Sequence, residues 1–156
     1  MAQASLHGKL QYDVEYKVPA DKVYEFWSCN FSDVQKACPK IINNIELVQG
    51  CWGNEGSIHV MTYTIDGKTE TCEEMVEAVD CKKKFISFKV IGGNLLDYYR
   101  CVKFILGQVS PKGDGGSLAS WTLEYEKLDE NVPDPIALRD EAVHFNKAIS
   151  AYLSHA

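Results

Sequence analysis

The stretch DPIALRDEAVHFNKAISAYL, residues 134–153, decides the fold, because it is the one long helix the chain offers. Asp134 suits the N-cap, where a carboxylate accepts orphan backbone N–H groups. Pro135 suits the first helical position, where its missing N–H is not needed. At about 100° per residue, Leu138, Ala142, Phe145, Ile149, Tyr152 and Leu153 share one stripe. Asp140, His144, Lys147 and Ala151 fall on the opposite face. At about 1.5 Å per residue the helix is roughly 30 Å long. It therefore needs a surface of similar width to cover its stripe.

The residues upstream supply that surface. Leu10, Tyr12, Val14 and Tyr16 alternate with polar residues, which predicts a strand from Lys9 to Lys17 with one buried face. Pro19 ends it. A short helix over Asp21–Trp27 follows, then a second one capped by Ser32 and stopped before Pro39. Six strands are predicted next, over Ile45–Val48, Ser57–Ile65, Lys68–Val79, Phe85–Ile91, Tyr98–Val109 and Ser117–Lys127. Asp66-Gly67 is a strong hairpin signal. Gly107 interrupts the alternation and marks a bulge. Hairpin-length connections make the sheet antiparallel, and long strands make it twisted and curved. The class is α+β: a curved antiparallel sheet wrapped around one helix. The inward faces carry Tyr12, Tyr16, Tyr63, Tyr125, Trp121, Phe88 and Phe104. So many inward hydroxyls imply either a cavity or a row of hydroxyls at the rim.

Composition narrows the function. The chain has 156 residues, read as one domain, with 46% hydrophobic and 24% charged residues. A net charge of −6 argues against nucleic acid as a partner, since phosphate recognition rewards clustered Lys and Arg. Lys82-Lys83-Lys84 is the only basic run, and a turn accounts for it. The N-terminal MAQASLHGKL has no apolar signal segment, and no apolar run reaches the ~18 residues of a membrane span. A cytoplasmic protein without membrane insertion is expected. Six cysteines without a C-x-x-C pair read as free thiols, and no metal or cofactor is expected.

Several stretches together resemble the plant major latex proteins, a branch of the birch-pollen-allergen superfamily. They are GKLQYDVEYKVPADKVYEFW from residue 8, GCWGNEGS from 50, YTIDGK from 63 and EEMVEAVD from 73. ISFKVIGGNLLDYYR from 86 and SPKGDGGSLASWTLEYEKLDENVPDP from 110 complete the set. The resemblance spans the whole chain. It implies the helix-grip fold: a seven-stranded curved antiparallel sheet around a long C-terminal helix, with two short helices after the first strand. A large apolar cavity between sheet and helix is implied too.

On that reading the protein holds a small hydrophobic or amphipathic molecule, in a defence or stress setting, as a monomer or weak dimer. Candidate ligand contacts are Phe26 and Val34 from the short helices, and Met61, Tyr63, Phe88, Phe104 and Trp121 from the sheet. Arg139, Ala142, Phe145 and Asn146 are the candidates from the long helix. The alternative is an enzyme of plant specialised metabolism, a cyclase, isomerase or condensing enzyme, with Glu74, His59 or Tyr63 as its acid–base group. Either Glu73 or Glu74 points inward by alternation, and His59 has the parity to line the mouth. Arg139 is placed to meet a ligand acid or Glu74. The glycine-rich loop GCWGNEGS lacks the Lys-Ser/Thr of a phosphate loop and precedes a strand, so it reads as a tight turn.

Overall fold

The structure, a computed structural model, describes residues 6–155. Residues 1–5, where the N-terminal segment read for a signal begins, lie outside the described residues. Strand β1 (His7–Tyr16) leads into helix α1 (Ala20–Ser28), a 3-10 turn (Phe31–Asp33) and the one-turn helix α2 (Val34–Ala37). Six strands follow: β2 (Ile42–Gln49), β3 (Ile58–Ile65), β4 (Lys68–Asp80), β5 (Phe85–Gly93), β6 (Tyr99–Pro111) and β7 (Ser117–Lys127). A second 3-10 turn (Asn94–Asp97) links β5 to β6, and helix α3 (Ile136–Ser154) closes the chain. This is the helix-grip arrangement.

The seven strands form one antiparallel sheet in the order β1-β7-β6-β5-β4-β3-β2. Local chemistry sets its turns. Asp66 (φ 52°) and Gly67 (φ 78°) are both left-handed, as a two-residue hairpin matching strand twist requires. At the β4–β5 turn, Asp80 Oδ1 accepts the backbone N–H groups of Lys82 (3.1 Å) and Lys83 (3.3 Å). The bulge expected at Gly107 is present, since the β6–β7 register slips between Leu106 and Gln108. β5 and β6 pair only over Ile86–Lys89 and Lys103–Leu106. Beyond that point the strands part, and the turn carrying Leu95 sits between them.

Alternation decides what the sheet buries. Ala119, Trp121, Leu123 and Tyr125 of β7 are all buried, as are Val102 and Leu106 of β6 and Ile86, Phe88 and Val90 of β5. The tyrosine hydroxyls divide between rim and interior. Tyr99 donates to Pro133 O (3.0 Å) at the rim, whereas Tyr16 is fully buried.

Two capping expectations are corrected. Helix α3 starts at Ile136, with Pro135 in the cap position and no side-chain cap. The Asp134 carboxylate is engaged elsewhere, 3.1 Å from Lys127 Nζ and hydrogen-bonded by Tyr125, and these partners hold its pKa below the usual carboxylate range. The backbone carbonyls of Asp134 and Pro135 take the first N–H groups instead. Ser32 is no cap either: it lies inside the 3-10 turn, which Asn30 precedes.

Helix α3 buries Asn146, Ile149 and Ser150 completely, while Leu138, Ala142, Phe145, Tyr152 and Leu153 are only half-buried. The stripe is right in direction, but two of its three deepest residues are polar. Each has a partner. Ser150 Oγ accepts Lys17 N–H at 3.2 Å. Asn146 Oδ1 accepts the Tyr16 hydroxyl at 2.5 Å, and the Tyr16 oxygen in turn accepts Trp27 Nε1–H at 3.1 Å. Asn146 Nδ2 donates to Ala142 O at 2.8 Å.

Tyr16→Phe strands the Trp27 donor and the Asn146 acceptor, each at a cost of about 1–3 kcal/mol. At roughly 2–4 °C per kcal/mol for a chain of this size, Tm should fall by about 4–24 °C, measured by calorimetry or circular dichroism. Asn146→Leu added to Tyr16→Phe should cost less than the sum of the two single changes.

Candidate functional site

Between the concave face of the sheet and α3 lies a cavity of about 460 Å³, within the range of small-molecule sites. Every strand contributes to its wall: Tyr12 from β1, Ile42 from β2, Met61 and Tyr63 from β3, and Cys72 and Glu74 from β4. Phe88, Phe104 and Trp121 come from β5, β6 and β7. The helix covers it with Leu138, Glu141, Ala142, Phe145 and Asn146. Exposed Asp66 and His144 also line it, so it opens between the β3–β4 turn and the outer edge of α3.

The wall is held by ring contacts. Tyr12 stacks parallel to Trp121 across the β1–β7 pair, with centroids 6.2 Å apart. Trp27 meets Trp121 edge-on at 4.6 Å and stacks on Phe31 at 5.1 Å. The buried Trp121 Nε1–H has no hydrogen-bond partner among the described residues.

Met61, Tyr63, Phe88, Phe104, Trp121, Ala142, Phe145 and Asn146 all lie on this wall. Asn146 does so with its amide engaged by Tyr16 and Ala142. Three candidates do not reach the wall. Phe26 packs behind it against Trp27, Phe31 and Tyr152, because one helical step turns the next residue, Trp27, to the cavity instead. Val34 is fully buried in α2, outside the lining. Arg139 turns aside to its neighbour, with Nη2 3.1 Å from Asp140 Oδ1, and meets neither the cavity nor Glu74.

The expectation that His59 lines the mouth is also corrected. Its parity is right, but it sits at the opposite end of β3 from the Asp66 turn. There it is enclosed by Phe31 (5.2 Å), Trp52 (5.7 Å, stacked) and Phe88 (6.0 Å). Trp52 belongs to the glycine-rich loop. Gly53 (φ 83°) lets that loop approach α1, since a Cβ there would stand 2.7 Å from Ser28 O. His59 Nε2 and Glu74 Oε1 are 2.9 Å apart, and both residues are buried. Of the adjacent pair, Glu74 is therefore the inward one, and it is the face of the dyad that reaches the cavity.

Residues that pattern reading did not name as contacts include Trp27, Phe31, Leu95 and Glu141. Tyr12 and Leu138 had the right parity and stripe. Leu95 had no signal, because its role depends on the parting of β5 and β6. Burial raises the pKa of Tyr12 and Tyr63, helped by nearby Glu74 for Tyr12 and by nearby Cys72 and Glu70 for Tyr63. Burial likewise raises the Cys72 thiol. All three remain protonated at neutral pH. Glu141 is held above the ordinary glutamate range, first by burial and then by Asp66 and Glu70.

The sequence pattern of the Pathogenesis-related protein Bet v 1 family matches residues 5–156. The chain belongs to this family. Within it, MLP-like protein 43 of Arabidopsis thaliana is 43% identical over 155 residues, covering 98% of each chain. Major latex protein 22 of Papaver somniferum is 36% identical over 135 residues, covering 86% of this chain and 83% of that one. Among solved structures, a ginseng major latex-like protein 151 from Panax ginseng superposes with TM-score 0.88 at 31% identity, covering 94% of this chain and 97% of that one. Norcoclaurine synthase from Thalictrum flavum shares the fold, with TM-score 0.80 at 18% identity over 97% of this chain and 88% of that one. The chain is thus a major-latex-type member of the family with a Bet v 1-like binding fold.

His59→Leu leaves the Glu74 carboxylate buried without its partner and should cost about 3–5 kcal/mol in denaturant unfolding. Adding Glu74→Leu should return most of that loss, since an apolar pair needs no charge partner. Glu141→Gln should raise Tm near pH 7, where wild type holds a charge that burial and two acidic neighbours disfavour. The sign follows from the raised pKa. Protonation of Glu141 restores stability as pH falls, so the gain from glutamine should vanish below about pH 3.5, under the ordinary glutamate pKa.

Proposed function

We propose that the protein binds a small apolar or amphipathic molecule in this cavity and carries or stores it unchanged. The observation that supports the reading best is the cavity itself. A close-packed interior keeps few voids larger than a water molecule, yet about 460 Å³ stands open among aromatic and aliphatic side chains. Burying apolar ligand surface there supplies affinity at ~25 cal/mol per Å² before ordering costs. Met61, Phe88, Phe104, Trp121 and Phe145 would provide that surface, with Tyr63 as a polar handle at its edge.

The plant relatives and the family's pathogenesis-related description support a defence or stress setting. The cytoplasm, a monomeric or weakly dimeric state and the lack of a nucleic-acid or membrane partner belong to the same proposal. Among the described residues, no helix is long and apolar enough to cross a membrane.

A second reading has one specific observation behind it. Glu74 reaches the cavity with His59 hydrogen-bonded behind it, an arrangement that orients a general base or acid. An isomerase or condensing enzyme of specialised metabolism would use it on a carbonyl substrate. That reading requires turnover that Glu74→Gln abolishes while ligand binding persists.

Ala142→Phe fills the lidded side of the cavity from α3. It should lower the affinity for an apolar fluorescent probe at least tenfold in titration, with far-UV circular dichroism unchanged. Undiminished one-to-one probe binding in the Phe variant would place the probe outside the cavity and end the carrier reading.

A further inference from the structure

We infer that the cavity is built for an apolar molecule bearing one hydrogen-bond-donating head group, a hydroxyl or a protonated amine, seated between Tyr12 and Glu74, and that it rejects carboxylates. This rests on the ligand-binding reading above and names the ligand class. Tyr12 is on β1 and Glu74 on β4, with β7, β6 and β5 between them in the sheet. Both line the cavity, so the curved sheet turns their polar ends towards a common space.

Each has unused hydrogen-bonding capacity. Tyr12 is 8% exposed, yet its hydroxyl has no hydrogen-bond partner among the described residues. The hydroxyl is not sealed off, since the sealed unpartnered atom on this wall is Trp121 Nε1. Glu74 is 5% exposed, and only its Oε1 is engaged, by His59. Its Oε2 carries no hydrogen bond among the described residues. The two groups are near enough that the Glu74 charge perturbs Tyr12, yet they are not bonded to each other.

A group inserted between them must satisfy an acceptor-only carboxylate on one side and a hydroxyl on the other. A ligand hydroxyl does both, donating to Glu74 Oε2 and accepting from Tyr12. An ammonium donates to both oxygens. An ether or ester oxygen accepts from Tyr12 but leaves Glu74 unserved. A carboxylate meets like charge.

The charges around the site point the same way. No lysine or arginine lines the cavity among the described residues. Asp66 and Glu141 stand at its opening, and Glu70 lies 3.4 Å from the Tyr63 hydroxyl. The one basic side chain on the lining is His144, exposed at the rim, while His59 is committed behind Glu74. An anionic head group therefore finds acidic neighbours and no cation to pair with.

The test is calorimetric titration near pH 7.5 in ~0.15 M salt, which screens adsorption to the acidic surface. Four twelve-carbon probes are compared below their aggregation limits: dodecanol, dodecylamine, dodecanoate and dodecyl methyl ether. The alcohol and the amine should bind one-to-one, at least tenfold tighter than dodecanoate and about fivefold tighter than the ether, the worth of one net hydrogen bond. Tyr12→Phe should weaken the alcohol and the ether alike, by about fivefold each, since both accept from its hydroxyl, and Ala142→Phe should block all binding. Dodecanoate binding as tightly as dodecylamine, or alcohol and ether affinities both untouched by Tyr12→Phe, would overturn the inference while the carrier reading stood. Failure of all four probes to bind would remove the carrier reading and this one with it.

Discussion

The hydrogen-bond chain from Trp27 through Tyr16 to Asn146 is what the arrangement depends on. It joins the first helix, the first strand and the last helix, and its Tyr16–Asn146 link spans 130 residues of sequence. Apolar packing alone is indifferent to small slides of a helix along a sheet. A buried hydroxyl with one donor and one acceptor partner is not, because a slide leaves polar groups unmatched in a low-dielectric interior. The chain therefore fixes where α3 lies over β1. It also fixes Trp27, whose ring contacts Trp121, Phe31 and Phe145 and so sets the inner wall of the cavity. The void survives because its boundary rings brace one another.

The second constraint is electrostatic. A buried carboxylate needs a partner, and Glu74 has His59. The partner in turn needs shelter from water, which Phe31, Phe88 and Trp52 supply. Trp52 reaches that position from a glycine-rich loop whose close approach to α1 only glycine permits at residue 53. The glycine-rich loop, a tight turn by its sequence, thus also serves as a cover for a histidine. Its Gly50 and Gly53 answer to backbone crowding, and each holds a left-handed φ.

Much of this was legible in the sequence because alternation and helical period are direct imprints of burial. The inward sets of β5, β6 and β7, the Asp66-Gly67 hairpin and the Gly107 bulge all follow from local pattern. The capping of α3 did not, since Lys127 and Tyr125 compete for Asp134 from a strand that local reading does not connect to it. Nor did the depth of each inward residue. Parity places His59 and Tyr63 on one face but does not say which end of the strand lies at the opening. Phe26 and Trp27 are adjacent apolar residues, and only the packing of α1 decides that Trp27 meets the cavity. Leu95 was invisible because it occupies a gap that two strands create by parting.

The polar anchors of α3 are unevenly placed. Asn146 and Ser150, with fully buried Ile149 between them, lie in its second half, while the cavity is covered by residues 138 to 146. The helix's own side chains thus clamp its second half, while its first half is tied only through the segment before it, where Asp134 meets Lys127 and Tyr125. Bending the first half to admit a bulkier guest strips apolar contacts, which are weak singly and re-form around the guest. It breaks none of the hydrogen bonds that Tyr16 or Lys17 makes to the clamped half. A fold held in this way can vary the height of its roof without loosening its foundations.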